Sequence, residues 1–403
     1  MKHDIMNAPV KEQALQKLLE LWKPVAETEY VTLEQCLDRV AAEDIRSVNM
    51  IPAVRISAMD GYAVKSAAFA EKIPDVASWV EGVDYAVADT GDDFPDEFDA
   101  VIDVEMLHYD ESGKLVLENT PNVKAGMNIR PAGCMMQPGD LLVSANTKIT
   151  PELQANLAVG GIKTVPVKKC PIVAFIPTGS ELIPAGSEPE RGKNIECNSF
   201  LISAYLRKWG AEVISYPIVN DEPERIEGLL NEALRLADIV ILCGGSSKET
   251  EDYTSRMMEH RASYLLHGVR TVPGRPVGIS IIGKKPVINM PGPTLAAWVV
   301  NDWLLKPMIC HYYGLPTVKR PAVSAILTED FKKGPPVEVY TRVALEKCGE
   351  TYYATPLGRD RRTSELLRDG IGLLVATIGA SGWQKGQSVI VELLVPEELI
   401  PRT

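Results

Sequence analysis

Over residues 11–22 the apolar side chains Leu15, Leu18, Leu19 and Trp22 recur at helical spacing and predict an amphipathic helix. A second short helix is expected over 32–42, with Thr32 as its N-cap. From about 46 to 140 the pattern changes. Short apolar runs such as Tyr62-Ala-Val and Ala100-Val-Ile-Asp-Val are broken by Gly, Pro and Asp, which predicts a β-rich region. Pro138-Gly139-Asp140 marks a turn into Leu141-Leu-Val. Thr150-Pro151-Glu152 reads as a helix start, threonine capping and proline at the first helical position, with the helix stopping at Gly160-Gly161.

From Pro171 strand-like and helix-like segments alternate. Ile172-Val-Ala-Phe-Ile176 is a strand, and a helix capped by Asn198 or Ser199 runs to near Gly210. A strand from Glu212, a helix over 222–236 and a strand over 238–242 follow. This predicts a doubly wound α/β domain, mainly parallel, ending near Tyr313. Beyond about 318, runs such as Ala322-Val-Ser-Ala-Ile-Leu and Val389-Ile-Val-Glu-Leu-Leu predict a small β-barrel or sandwich.

One strand carries chemistry. Asp238-Ile-Val-Ile-Leu-Cys243 is apolar throughout and runs into Gly244-Gly245-Ser246-Ser247, then acids up to Asp252. A buried parallel strand reads this way where its C-terminal end opens onto a ligand. The glycines let backbone N–H groups approach an anion, and the serines add hydroxyl donors. A second apolar strand ends in Pro291-Gly292-Pro293, and Arg275 lies between the two in sequence. Together they predict a pocket for a phosphorylated small molecule.

Composition bounds the rest. The 403 residues predict two to four domains, and 45% hydrophobic residues belong to a folded chain. A formal charge of −12 argues against nucleic acid as the main partner. There is no apolar run of membrane-spanning length and no signal-peptide core at the start, so a cytoplasmic protein is expected. Seven widely spaced cysteines without C-x-x-C predict reduced thiols, and the five histidines show no zinc-ligand spacing.

An ordered series of short motifs resembles the MoeA/gephyrin E-domain family of molybdopterin molybdenumtransferases. It includes Ser57-Ala-Met-Asp60-Gly61-Tyr62-Ala63, Thr90-Gly91, Asp99-Ala-Val-Ile-Asp-Val-Glu105 and Asn128-Ile-Arg130-Pro131-Ala-Gly133. It continues through Pro138-Gly139-Asp140, Thr178-Gly179-Ser180-Glu181-Leu182, Asn198-Ser199, the 244–247 loop, Asp252-Tyr253, Pro273-Gly274 and Met290-Pro291-Gly292. The resemblance implies a multidomain α/β, MoeA-like fold. Its parts are a discontinuous first domain (1–45 plus 141–170), a β-rich insertion (46–140), a molybdopterin-binding α/β domain (171–316) and a C-terminal β-barrel (317–403). It also implies a homodimer, and a molybdoenzyme or another cofactor-synthesis protein as partner. The implied reaction inserts molybdate into adenylylated molybdopterin with release of AMP, assisted by Mg2+.

On the same resemblance Asp60, Glu181 and Asp252 are the expected catalytic carboxylates, with Asp252, Glu181 and Asp221 as metal ligands. Thr90, Gly91, Thr178, Gly179, Gly244, Gly245, Ser246, Ser247, Arg275, Pro291, Gly292 and Pro293 are the expected ligand-binding residues. Each has a plainer alternative: Asp60 as a turn residue, Thr90 and Gly91 as a strand end, Glu181 as a solvated loop residue, Asp252 as a helix N-cap, Arg275 as a surface cation. Cys243 is expected to pack as a small buried residue.

The chain also departs from the family pattern. Cys134-Met135 stands where Glu-Asp is usual, Asn220-Asp221 where Asp-Asp is usual, Val272 in place of a lysine, and Pro291-Gly-Pro-Thr294 in place of Pro-Gly-Asn-Pro. Met135 supplies no hard oxygen and Val272 donates to no oxyanion. Two readings are therefore carried, a molybdenumtransferase and a non-catalytic molybdopterin- or nucleotide-binding carrier.

Overall fold

The computed structural model describes residues 8–119, 122–244, 257–334, 336–358 and 361–402. They form two compact units: Thr28–Lys168, and the N-terminal residues up to Glu27 together with Lys169 onward.

Helix α1 (Lys11–Leu21) belongs to the second, larger unit. It buries Ala14, Leu18 and Trp22, three residues on one stripe. His311 Nε2 lies 3.1 Å from the Trp22 carbonyl, and Lys11 pairs with Glu338 at 2.7 Å. These contacts separate α1 from residues 28–45, with which the expected first domain groups it.

In the smaller unit Thr28–Thr32 pairs antiparallel with Thr164–Lys168. The helix expected over 32–42 is reduced to a single 3-10 turn, Leu33–Gln35. Thr32 does cap it, in a reciprocal capping box with Gln35. Asp38 then takes the left-handed conformation (φ 63°), and Val40 and Ala41 bridge to Lys148 and Val167, so tertiary pairing wins over helix propagation. Helix α2 (Pro151–Val159) starts as expected, Thr150 accepting from the Leu153 N–H at 3.4 Å. Cys36, Ala41 and Ile45 share one core with Leu142, Ile149, Leu157 and Val165. Residues between these segments build their own cores around Gly61–Val64, which pairs on both sides with Tyr85–Ala88 and Ala100–Asp103.

The larger unit is built on a six-stranded sheet. Its strands are β1 (Ile172–Thr178), β2 (Glu212–Ser215), β3 (Ile239–Gly244), β4 (Ala262–His267), β5 (Gly278–Ile282) and β6 (Lys285–Met290), in the order β2-β1-β3-β6-β5-β4. The first four are parallel; β5 and β4 add an antiparallel edge. Strand β1 is buried along almost its whole length, as a parallel strand covered on both faces must be. On one face Ala174, Ile176, Val240 and Leu242 pack with Ile226, Leu230 and Ala233 of α4 (Pro223–Leu236). On the other, α3 (Asn198–Lys208) lies against β1 and α5 (Thr294–Val300), and buries Ile202 and Leu206. A π turn at Asn301–Leu305 leads into α6 (Lys306–Tyr313), which ends at the left-handed Gly314.

The C-terminal part is a barrel. Glu338–Cys348, Thr351–Pro356, Ala322–Leu327, Ser388–Leu393 and Gly372–Ala376 pair in that order, and the last pairs back to the first, which leaves no free edge among the five. Its core is Leu327, Val343, Leu345, Leu374 and Val391.

Phe175 is fully buried in the middle of β1. Phe175→Ala is expected to lower the stability of the larger unit by about 3–5 kcal/mol through lost transfer energy and a residual cavity. Urea unfolding followed at that unit's tryptophans checks the value.

Candidate functional site

The chain reverses its winding direction between β1 and β3: β2 lies on one side of β1, while β3 and β6 lie on the other. Open α/β sheets hold ligands at the carboxyl ends of strands flanking such a switch point. A cavity of about 440 Å3 opens there, and Glu181, Gly244, Gly292, Pro293, Cys197 and Asn198 are among its lining residues.

The backbone sets the shape of this cavity. Gly244 ends β3 with φ 128°, and a Cβ there would lie 1.8 Å from the Thr178 carbonyl oxygen at the end of β1. Only glycine fits this contact. Gly179 has φ 147°, and a Cβ on it would lie 2.6 Å from the Glu181 carboxylate. Glu181 therefore folds back over the turn that follows β1. Asp221 pins that turn by accepting from the Ser180 N–H at 3.0 Å, while its own N–H donates to Ser180 Oγ at 3.0 Å. Asp221 Oδ1 is buried without a partner.

Asn198, at the start of α3, is 7% exposed. Its Nδ2 donates to the Gly292 carbonyl at 2.7 Å and contacts Cys243 Sγ at 3.4 Å, so it joins α3, β3 and the loop after β6. Its Oδ1 is buried without a partner. The cap of α3 is neither Asn198 nor Ser199: Glu196 reaches forward to accept from the Ser199 N–H at 2.8 Å and from its hydroxyl. Exposed Cys197 lies 3.3 Å from Thr294 Oγ1 across the cavity. Cys243 is buried, and burial pushes its thiol up to about 12.

A second cavity of about 700 Å3 shares Pro293 and Leu295 with the first and extends to the barrel. Its wall carries Trp298, with the Arg342 guanidinium carbon 4.4 Å from the ring centre, and Arg361 and Lys332. Arg342 also donates to the Gly370 carbonyl at 3.1 Å.

Most of the larger unit's sequence-predicted residues converge here. Thr178, Gly179, Glu181, Asp221, Gly244, Pro291, Gly292 and Pro293 belong to the ends of β1, β3 and β6 or to the loops beside them. Arg275 lines neither cavity; its carbonyl accepts from the Val269 N–H at 3.0 Å. Gly245, Ser246, Ser247 and Asp252 lie outside the described residues. Sequence reasoning missed Glu196, Cys197 and Arg342 as part of these walls. Asn198 offered a signal, as a polar residue opening a helix after a strand-like segment.

In the smaller unit Asp60, Thr90 and Gly91 also come together. Asp60 Oδ1 accepts from both the Thr90 N–H and the Thr90 hydroxyl, each at 2.7 Å, and Gly91 takes φ 96°. The two bonds from Thr90 hold the Asp60 carboxyl below the ordinary aspartate range.

Among the described residues no three His, Cys, Asp or Glu side chains cluster as a metal site. Glu181 and the unpartnered Asp221 Oδ1 are nonetheless hard oxygen donors. They suit Mg2+, which takes one or two carboxylates and keeps its remaining positions for water and phosphate.

Comparison with known proteins agrees with this geometry. Residues 10–161 match the MoeA N-terminal region (domain I and II), and residues 174–311 match a probable molybdopterin binding domain. A molybdopterin molybdenumtransferase of Bacillus subtilis is 29% identical over 406 residues, covering 96% of this chain and 94% of that protein. One from Haemophilus influenzae is 29% identical over 335 residues, covering 80% and 82%. The crystal structure of a molybdopterin biosynthesis MoeA protein from Pyrococcus horikosii superposes with a TM-score of 0.79 at 25% identity, covering 97% of this chain and all of that one.

Two outcomes are expected. Iodoacetamide at neutral pH should alkylate Cys197 and spare Cys243, as read by peptide mass spectrometry; the reverse order would contradict the burial described. Carbon-detected NMR should place the Asp60 midpoint below that of an ordinary aspartate. The depressed folded value means that the Thr90 bonds contribute fully above the unfolded value and are lost as pH falls through the folded one.

Proposed function

The chain belongs to the MoeA family, and from that premise we propose that it is a molybdopterin molybdenumtransferase of molybdenum cofactor biosynthesis. Its substrates are adenylylated molybdopterin and molybdate; the dithiolene receives the metal and AMP leaves. The observation that carries this reading is the cavity at the ends of β1, β3 and β6, set within a match that spans nearly the whole of the Bacillus subtilis molybdenumtransferase. No specific observation favours the carrier alternative.

The reaction separates an anionic leaving group from an oxyanion acceptor, so the site must bind several negative charges while excluding water. Gly244 and Gly179 let the substrate phosphate approach the backbone closely. Glu181 and Asp221 would hold Mg2+, which neutralises charge on the phosphates when bound. Asp221 in addition keeps the Ser180 turn in place through its two backbone-linked bonds. Arg342 and Arg361 bring positive charge to the adjoining wall, where the Arg342 guanidinium lies over the ring of buried Trp298. Asp60 stays ionised at working pH, held by Thr90, as a second carboxylate for the transfer. Asp252, Ser246 and Ser247 complete the proposed set.

We also propose a homodimer acting in the cytoplasm. Among the described residues no helix is long and apolar enough to cross a membrane. Light scattering at micromolar concentration tests the dimer.

The enzymatic test is AMP release from adenylylated molybdopterin with Mg2+ and molybdate. Wild type is expected to release AMP only when molybdate is present. Asp60→Asn and Glu181→Gln should each lower the rate by about 10²-fold or more, the scale of losing a group that acts in the transition state. Molybdate-independent release, or full activity in both variants, would count against the assignment.

A further inference from the structure

Three separate segments of the larger unit meet at one point. The Arg270 N–H donates to the Pro9 carbonyl at 3.0 Å, and the Glu338 N–H donates to the Arg270 carbonyl at 2.8 Å. Thr271 and Val272 then pair in parallel with Glu338 and Val339, the first residues of the barrel strand Glu338–Cys348. A ladder of two residues is too short to hold one element on another by itself. Helix α1 adds a clamp. Lys11 Nζ lies 2.7 Å from both Glu338 carboxylate oxygens and 5.1 Å from the centre of the Tyr340 ring. The Tyr340 hydroxyl donates to Glu338 Oε2 at 3.2 Å. Burial first, and then the Glu338 charge, raise the pKa of Tyr340, so its hydroxyl keeps its proton and stays a donor. The Lys11 and Glu338 side chains are 20% and 13% exposed, which shields the pair from much of the water that weakens surface ion pairs.

The clamp reaches the larger cavity through one strand. Glu338, Tyr340 and Arg342 are two apart along it, which puts their side chains on one face. Tyr340 and Arg342 line the cavity of about 700 Å3, whose lining on the α/β side includes Val272 and Trp298. The described hydrogen bonds of Arg342 go to backbone carbonyls, and its Nε is buried without a partner. At the other end of α1 the Trp22 side chain is buried, and its carbonyl lies 3.1 Å from His311 Nε2. The helix is thus a rod of about 16 Å, held at the barrel by Lys11 and at α6 by Trp22.

We propose that Lys11 is a positioning residue for the substrate cavity. By pairing with Glu338 it seats the start of the barrel strand on residues 271–272. It thereby sets the spacing between Tyr340 and Arg342 on one wall and Val272 and Trp298 on the other. Without Lys11 the Glu338 carboxylate is left largely shielded from water and without its paired cation, so it turns outward, and the two-residue ladder yields with it. Arg342 then shifts on the Trp298 ring, and the anion-facing wall loses its geometry. Lys11 itself touches neither substrate nor reacting atoms. Only the kinetic half of the test rests on the molybdenumtransferase reading.

The test uses the full chain labelled with 5-fluorotryptophan, its Trp298 resonance assigned by Trp298→Phe. Lys11→Met is expected to move the Trp298 resonance and to leave that of Trp79, in the smaller unit, in place. It should also raise KM for adenylylated molybdopterin by about threefold or more, the scale on which a residue remote from a ligand modulates its binding, with kcat changed by less than about twofold. Lys11→Arg, which keeps the charge, and Lys17→Met, at an exposed lysine of the same helix, should match wild type in both readouts. Adding Glu338→Gln to Lys11→Met should change neither readout further, because both substitutions break one pair. An unmoved Trp298 resonance in Lys11→Met would overturn the proposal. So would a moved resonance with unchanged KM, or additive effects in the double variant. Should Lys11→Met not fold, Glu338→Gln decides by the same two readouts. If wild type releases no AMP, the enzymatic reading fails, and the Trp298 resonance still decides whether Lys11 positions the wall.

Discussion

The contact between the end of β3 and the end of β1 constrains everything around the cavity. With Gly244 Cα pressed against the Thr178 carbonyl, no side chain fits between the strands where they emerge from the sheet. The backbone itself becomes the floor of the site. That closeness follows from the sheet below, where Val173, Ala174, Phe175 and Ile176 of β1 are completely buried beside Val240 and Ile241 of β3. Strands so apolar have no room for chemistry along their length. Polar groups collect at their carboxyl ends, where the covering helices stop.

Several polar residues at this mouth serve as framework. Asp221 spends one oxygen and its N–H on Ser180 and leaves the other oxygen buried without a partner. Asn198 spends its amide nitrogen on Gly292 and Cys243 and likewise leaves its oxygen unpartnered. Burying a polar atom without a bond costs on the order of 1–3 kcal/mol. One such atom on the cavity wall, at Asn198, and another in the turn leading to Glu181, at Asp221, are costs that a ligand or metal would relieve. In an acidic protein, local donors and the arginines of the adjoining wall supply the attraction that net charge does not.

Legibility followed periodicity. The buried strands and the helices over 151–159 and 223–236 were readable because apolar spacing and Thr-Pro or Pro starts mark them locally. The 32–42 segment was misread as a helix for an instructive reason. Its capping signal was genuine and Thr32 does cap a turn, yet Asp38 breaks the turn so that Val40 and Ala41 can pair with residues more than 100 positions away. The α3 start fell where the sequence placed it, but its capping side chain did not, because Glu196 caps from outside the helix, a reach that no local pattern announces.

The amino-acid sequence by itself determined the order of elements, the glycines at positions 179 and 244 and the carboxylates Asp60, Glu181 and Asp221, because backbone freedom and charge are properties of single residues. It also carried the motif series that marks the family. Only the tertiary structure decided which of these meet. It set Cys197 against Thr294. It returned α1 to the unit containing His311 rather than to its sequence neighbours. Those outcomes depend on strand order and register, which arise when distant segments bury their apolar faces together, and no window along the chain contains both partners.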